Sequence, residues 1–162
     1  MTQFYSFHGT VTKISDFMVT PNDQSGCNKL FTVTNNSGAI VNFVVSPTTY
    51  VVDHTTIVVG DRITGYYDGN APVPLIYPPQ YQALVIVKDH PHQNVKVDFF
   101  NSRLISSDGQ LQLNLSPFTQ LLLTNSQAFI GNPANRNLIV IYGATTRSIP
   151  AQTTPMKIIV LC

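Results

Sequence analysis

Apolar residues in this chain recur at every second position over runs of four to eight, the period of a half-buried β-strand, and no stretch sustains the three-to-four spacing of an amphipathic helix. Residues 4–17 carry a strand pattern in which Val11 and Ile14 fall on offset positions, predicting a bulge or bend near Gly9. Residues 30–34 and 39–45 alternate on either side of Asn35–Gly38, a turn composition, and predict a hairpin. A short β-branched run at 48–53, a Gly60-Asp61 turn feeding 62–67, and a final run at 81–88 complete a first set of strands. The polar stretch 21–28 and the proline-bearing stretch 68–79 predict loops, since Pro72, Pro74, Pro78 and Pro79 cannot sit in a central strand. Beyond residue 94, strand patterns return at 95–100, 102–105, 111–115, 121–123, 138–141 and 158–160.

The second set repeats the first. Ser46, Pro47, Thr49, Val51 and Val52 are answered at identical spacing by Ser116, Pro117, Thr119, Leu121 and Leu122, and in each case an arginine, Arg62 or Arg136, leads into the next strand. Upstream, Gly38 with 39–45 is answered by Gly109 with 110–115. A repeat of this length points to two similar domains or one pseudo-twofold domain, because solenoids need at least about three short units to bury a core. The expected division is a first domain at 1–90, a polar linker at 91–94 and a second domain at 95–162.

Composition sharpens the fold class. All eight acidic residues are Asp, so Glu, a good helix former, is missing, while Thr, Val, Ile, Tyr and Phe abound. The chain is expected to be all-β. With 43% hydrophobic and 10% charged residues it is globular in composition, and a net charge of +1 with dispersed basic residues offers nucleic acid or anionic lipid no electrostatic footprint. Neither a signal peptide nor an apolar run of membrane length is visible, which predicts a cytoplasmic chain with no membrane partner. Cys27 and Cys162 do not make a disulfide framework and read as free thiols.

A first strand with an early glycine (Gly9 to Ile14), a hairpin (30–45), a Gly-Asp turn opening the fourth strand (60–67) and a closing run (83–87) resemble the OB-fold, a five-stranded Greek-key barrel. The resemblance implies two tandem OB-like barrels; one pseudo-twofold barrel or sandwich is the alternative. Proteins of this fold that bind single strands or oligosaccharides do so with a barrel face and two loops, so the resemblance directs attention to aromatic residues on that face. Phe31, Phe43, Tyr50, Tyr66 and Tyr67, with Arg62, are the ligand-binding candidates. Adjacent Tyr66 and Tyr67 must face opposite sides of their strand, so only one of them joins any one platform.

Other chemistry is sparse. His90 and His92, beside Asp89, are imidazoles of the type that bind transition metals, but two histidines flanking a proline also describe a solvated linker, and no neighbouring ligand completes a set. Pro78, Pro79, Gln80 and Tyr81 match the PPxY pattern read by WW domains, but just before a strand such prolines more often stiffen a loop, with Tyr81 packed inward. No nucleophile–base pair, phosphate loop or zinc spacing is present, so no enzyme and no cofactor are expected. The expectation is a binding or assembly module with a protein or glycan partner and a tendency to homodimerise at residues 121–123; weak binding of a single strand or small ligand around Tyr66 is the alternative.

Overall fold

The computed structural model describes residues 2–162. The protein is all-β: thirteen strands, with a single 3-10 turn at Val52–His54 as the only helical element among the described residues. It divides into two compact units, Met1–Asp89 and His90–Cys162.

In the first unit β1 (Phe4–Asp16) is the organising strand, pairing antiparallel with β2 (Lys29–Thr34) along its second half and with β5 (Arg62–Asp68) along its first. The two pairings overlap only at Thr10, and the register with β2 shifts between Val11 and Lys13, two residues beyond the glycine at which the sequence suggests a bend. β2 turns back into β3 (Ile40–Val45) through Gly38, whose φ of 83° belongs to the left-handed region that glycine occupies without cost. The run at 48–53 is mostly turn: only Tyr50–Val51 (β4) is strand.

The stretch 80–88 is two strands rather than one. β6 (Gln80–Gln82) pairs in parallel with β3, and β7 (Val85–Lys88) pairs antiparallel with β5 and in parallel with β4. Between them the amides of Ala83 and Leu84 bond to Val44 O and Tyr66 O, so the chain passes its hydrogen bonds from one neighbour to the other within two residues. The strand order is β4-β7-β5-β1-β2-β3-β6. Val11, Phe31, Val33, Val41, Phe43, Ile63 and Ile86 fill the core on the face that alternation assigns to them.

The second unit contains β8 (Asn94–Phe100), β9 (Leu111–Leu113), β10 (Gln120–Leu123), β11 (Arg136–Tyr142), β12 (Ala151–Thr153) and β13 (Lys157–Leu161). β10, β13, β11 and β8 form one sheet in that order, and β9 and β12 pair in parallel. Residues 102–105, expected as a strand, form a turn, because Asn101 Oδ1 accepts the amides of Arg103 and Ile105 and holds the chain in a tight bend with Leu104 at φ 57°. β12 was not legible in the sequence: it is three residues long and lies between Pro150 and Pro155. The core is Phe100, Leu111, Leu113, Leu138, Val140, Ile158 and Val160. Leu121 and Leu123 pack against it, so the intervening Leu122 turns to the opposite face. The outer edge of β10 is not bare, since Leu123 N and Phe129 N bond to Gln127 O and Leu121 O.

The Ser-Pro-x-Thr segments make matching bonds in the two units. Thr49 Oγ1 donates to Ala83 O at 2.8 Å and accepts from Ser46 N at 3.0 Å; Thr119 Oγ1 donates to Pro155 O at 2.7 Å and accepts from Ser116 N at 3.4 Å. Seven residue pairs link β1 to β5, from Phe4↔Asp68 to Thr10↔Arg62, and seven link β8 to β11, from Asn94↔Tyr142 to Phe100↔Arg136. Each unit also carries a cis X-Pro bond before its short parallel strand, Tyr77–Pro78 and Ile149–Pro150.

Candidate functional site

The core of the first unit opens at one end onto a cleft of about 400 Å³. Its walls are Phe17 and Val19 from the loop after β1, Pro72 and Pro74 from the loop after β5, and its floor is Tyr67 and Tyr81. Both loops are fixed by carboxylates that accept backbone amides. Asp23 takes Thr20 N at 2.8 Å, and Asp68 takes Gln3 N at 3.1 Å and Asn70 N at 2.9 Å. These bonds favour the ionised forms, so both carboxyls are held below their ordinary pKa, chiefly by the amide of Thr20 for Asp23 and that of Asn70 for Asp68.

The floor is an aromatic cluster. Tyr67 and Tyr81 stack with centroids 3.9 Å apart and planes 8° from parallel; Phe43 lies 6.2 Å from Tyr67, and Tyr5 meets Tyr67 edge-on at 6.0 Å. Two glycines make room for it. A Cβ on Gly65 would stand 2.5 Å from the Phe43 ring, and one on Gly69 would stand 2.8 Å from the Tyr5 ring. Burial, with a hydrogen bond to Tyr81 as the next cause, pushes the Tyr67 phenol up to about 12. Gln80 and Gln82 supply amides at the rim, and among the described residues lining the cleft Asp68 has the only charged side chain.

The sequence candidates scatter with respect to this cleft. Phe43 is completely buried and Phe31 nearly so; both are core residues, with no face to offer a ligand. Tyr67 belongs to the floor, whereas Tyr66 lies on the opposite face of β5 by strand alternation. Tyr50 contacts His54 edge-on at 5.3 Å, and its phenol is raised by burial and then by Asp53. Arg62 lies at the other end of β5, roughly 17 Å along the strand from Tyr67, with its guanidinium Nη2 3.0 Å from His8 Nε2.

Arg62 belongs to a polar cluster that the sequence does not reveal, because its members come from β1, β5 and the residue that follows β7. His8 Nδ1 lies 3.0 Å from Thr64 Oγ1 and 3.2 Å from Asp89 Oδ2. Arginine can only donate, so His8 Nε2 is the acceptor and the ring proton sits on Nδ1, facing Asp89. The Nε2 lone pair is thereby taken by the guanidinium, and the Asp–His pair clasps β1, β5 and the end of β7 rather than facing a nucleophile.

The linker histidines touch each other: the rings of His90 and His92 meet at 5.9 Å, and His90 Nδ1 accepts the His92 amide at 3.2 Å, which uses one of the ligating nitrogens. Among the described residues no group of three His, Cys, Asp or Glu side chains could hold a metal ion. Cys27 and Cys162 are free and exposed. The PPxY match is not displayed as a ligand, because Gln80–Gln82 is a paired strand and Tyr81 is stacked under Tyr67. No helix among the described residues is long and apolar enough to cross a membrane.

A second cleft, of about 550 Å³, lies in the second unit between Asn114 and the loop 143–156. Gln152, Thr153, Thr154 and Met156 line it, as do Thr145 and Thr146, and none of its lining residues is aromatic or charged. Comparison with known proteins adds no identification: no family model, no curated protein and no solved structure matches the chain.

Proposed function

We propose that the protein is a non-enzymatic binding module made of two duplicated OB-like barrels, and that the cleft over Tyr67 and Tyr81 takes an uncharged ligand, a glycan segment before any other. Several pairings support the barrel reading of the first unit. β1 pairs with β2 and β5, β2 with β3, and the contiguous stretch 80–88 supplies β6 at one end of the strand order and β7 next to the other, as expected when a sheet closes on itself. The repeated Ser-Pro-x-Thr bonds and the parallel pairings β3·β6 and β9·β12 support duplication.

The observation that carries the ligand class is the pairing of a stacked tyrosine floor with a cleft in which, among the described residues, no Lys or Arg side chain takes part. Sugar rings present C–H faces that pack on aromatic rings and hydroxyls that bond to amides such as those of Gln80 and Gln82, without any ion to desolvate. Phosphate-bearing strands need the reverse, a basic groove, and Asp68 repels them. The test is a panel of neutral hexaoses (cello-, chito- and malto-) titrated against the isotope-labelled protein. Saturable shifts at Gln80, Tyr81 and Gln82 with Kd of about 1 mM or tighter, weakened several-fold in Gln82→Ala, are expected. Silence across the panel, with oligodeoxythymidylate binding instead on a steep salt slope, would replace this reading by the nucleic-acid one.

A further inference from the structure

The hydrogen bonds around His8 fix where each proton of its cluster sits. Arg62 Nη2 donates to His8 Nε2 at 3.0 Å, because a guanidinium has no lone pair to offer. Thr64 Oγ1 lies 3.4 Å from Asp89 Oδ1, and an ionised carboxylate only accepts, so the threonine proton points there. Thr64 Oγ1 and Asp89 Oδ2, 3.0 and 3.2 Å from His8 Nδ1, then both accept from that nitrogen. The set is complete for a neutral imidazole protonated on Nδ1. An imidazolium does not fit it, since the added Nε2 proton would point at the Arg62 N–H across the same 3.0 Å.

We infer that His8 is a proton-operated latch on Arg62. With the ring neutral, Nε2 holds the guanidinium against β1. When the ring takes up a proton, two donors and two positive charges face each other, and Arg62 swings away. The strands stay clasped, because the same proton turns the contact between His8 Nδ1 and Asp89 into a charge-assisted pair. Acid therefore exchanges one tie for another, and the released form presents a guanidinium beside an imidazolium. The neighbouring charges do not interfere: Lys88 is engaged by Asp61 at 3.5 Å, and Lys13 lies beyond the register shift, opposite Thr32 on β2. The His8 and Asp89 side chains are 47% and 34% exposed, so the ring exchanges protons with water and the freed guanidinium has solvent to enter. Histidine is the side chain whose charge ordinarily changes between about pH 5 and 8, the interval in which such a latch serves as a regulator. It lies at the other end of β5 from Tyr67 and works whatever the cleft binds.

Nuclear magnetic resonance of the isotope-labelled full chain, titrated from about pH 8 to 5 at constant ionic strength, reads both sides of the latch. In its neutral form the His8 ring is expected to carry its proton on Nδ1, as its nitrogen shifts report. The Arg62 guanidinium protons are expected to exchange with water roughly tenfold faster once released, with the same midpoint as the His8 ring. His8→Gln offers an amide oxygen that accepts from Arg62 at every pH, so the Arg62 transition should vanish while His54, His90 and His92 still titrate. Far-UV circular dichroism should stay unchanged throughout, because the strands remain paired. A neutral His8 ring protonated on Nε2, a ring that keeps one charge state across the interval, or Arg62 signals that ignore the His8 midpoint overturns the inference. So does an Arg62 transition that survives in His8→Gln.

Discussion

Thr49→Val and Thr119→Val ask whether the repeated Ser-Pro-x-Thr segments do the same work. Valine keeps the shape and β-branching of threonine but removes the hydroxyl, so Thr49→Val breaks the 2.8 Å bond to Ala83 O and the 3.0 Å bond from Ser46 N. Each bond contributes about 0.5–1.5 kcal/mol net, and the partly buried carbonyl left behind adds its own desolvation cost, so the expected loss is about 1–3 kcal/mol. Thr119→Val loses a 2.7 Å bond to Pro155 O but only a 3.4 Å contact from Ser116 N, which places it at the lower end, about 1–2 kcal/mol. For a chain of this size those losses lower Tm by roughly 2–4 °C per kcal/mol. The chain has no Trp, and six of its seven Tyr (5, 50, 66, 67, 77 and 81, against 142) precede residue 90. Tyrosine fluorescence therefore follows the first unit, while far-UV circular dichroism follows both. Urea denaturation read by both signals checks the reasoning. A Thr49→Val protein within about 0.5 kcal/mol of wild type would show that the matching bonds are incidental.

Gly65→Ala should destabilise the protein by about 1–3 kcal/mol, because its Cβ would enter the Phe43 ring and force the aromatic floor to shift; chemical denaturation and near-ultraviolet circular dichroism would register both effects. The raised Tyr67 phenol predicts a loss of stability in alkali: between pH 10 and about 12 the unfolded chain gives up this proton and the folded one keeps it, so stability falls as pH rises. Tyr67→Phe should remove that part of the decline and the last component of the phenolate absorbance titration. Asp23, Asp68 and Asp108 have lowered pKa values, so their contributions are present above 3.8 and disappear as pH falls below it; a stability profile flat from pH 5 to 2 would contradict this.

The sequence conveyed the fold class well because each strand writes its own period into the chain. The hairpin at 29–45 and the strand from Arg62 are both local decisions, made by alternation and by glycines that take up positive φ. What it concealed was pairing. Nothing in the run 80–88 signals that its halves serve different neighbours, because the switch is made by the backbone amides of Ala83 and Leu84. The site was half legible for the same reason. Tyr67 was identified by its type, and Tyr81, though inside a PPxY match, reads as an inward-packing residue; that the two rings stack follows only from the parallel pairing of β6 with β3. His8, Arg62, Thr64 and Asp89 lie as far apart in sequence as 81 residues, so no spacing rule could have joined them.

Under the proposed duplication the two clefts become comparable residue by residue. Thr49 bonds to Ala83 O and Thr119 to Pro155 O, which aligns Tyr81 with Thr153, while Arg62 and Arg136, each at the start of its strand, align Tyr67 with Ile141. The stacked pair of the first cleft therefore corresponds to Ile141 and Thr153 in the second, and Thr153 is already committed, its hydroxyl bonded to Ala144 O at 2.8 Å. An aromatic floor that holds a ligand by contact area has no counterpart there; what remains is a rim of hydroxyls and amides, whose bonds to a ligand only replace those to water and so contribute little net affinity. Binding is accordingly expected to be asymmetric, with the first cleft filling at ligand concentrations that leave the second empty. In the hexaose titration that asymmetry is directly visible: shifts at Gln152 and Thr154 should lag well behind those at Gln80 and Gln82, and equal saturation of both sets would mean that the tyrosines are not what holds the sugar.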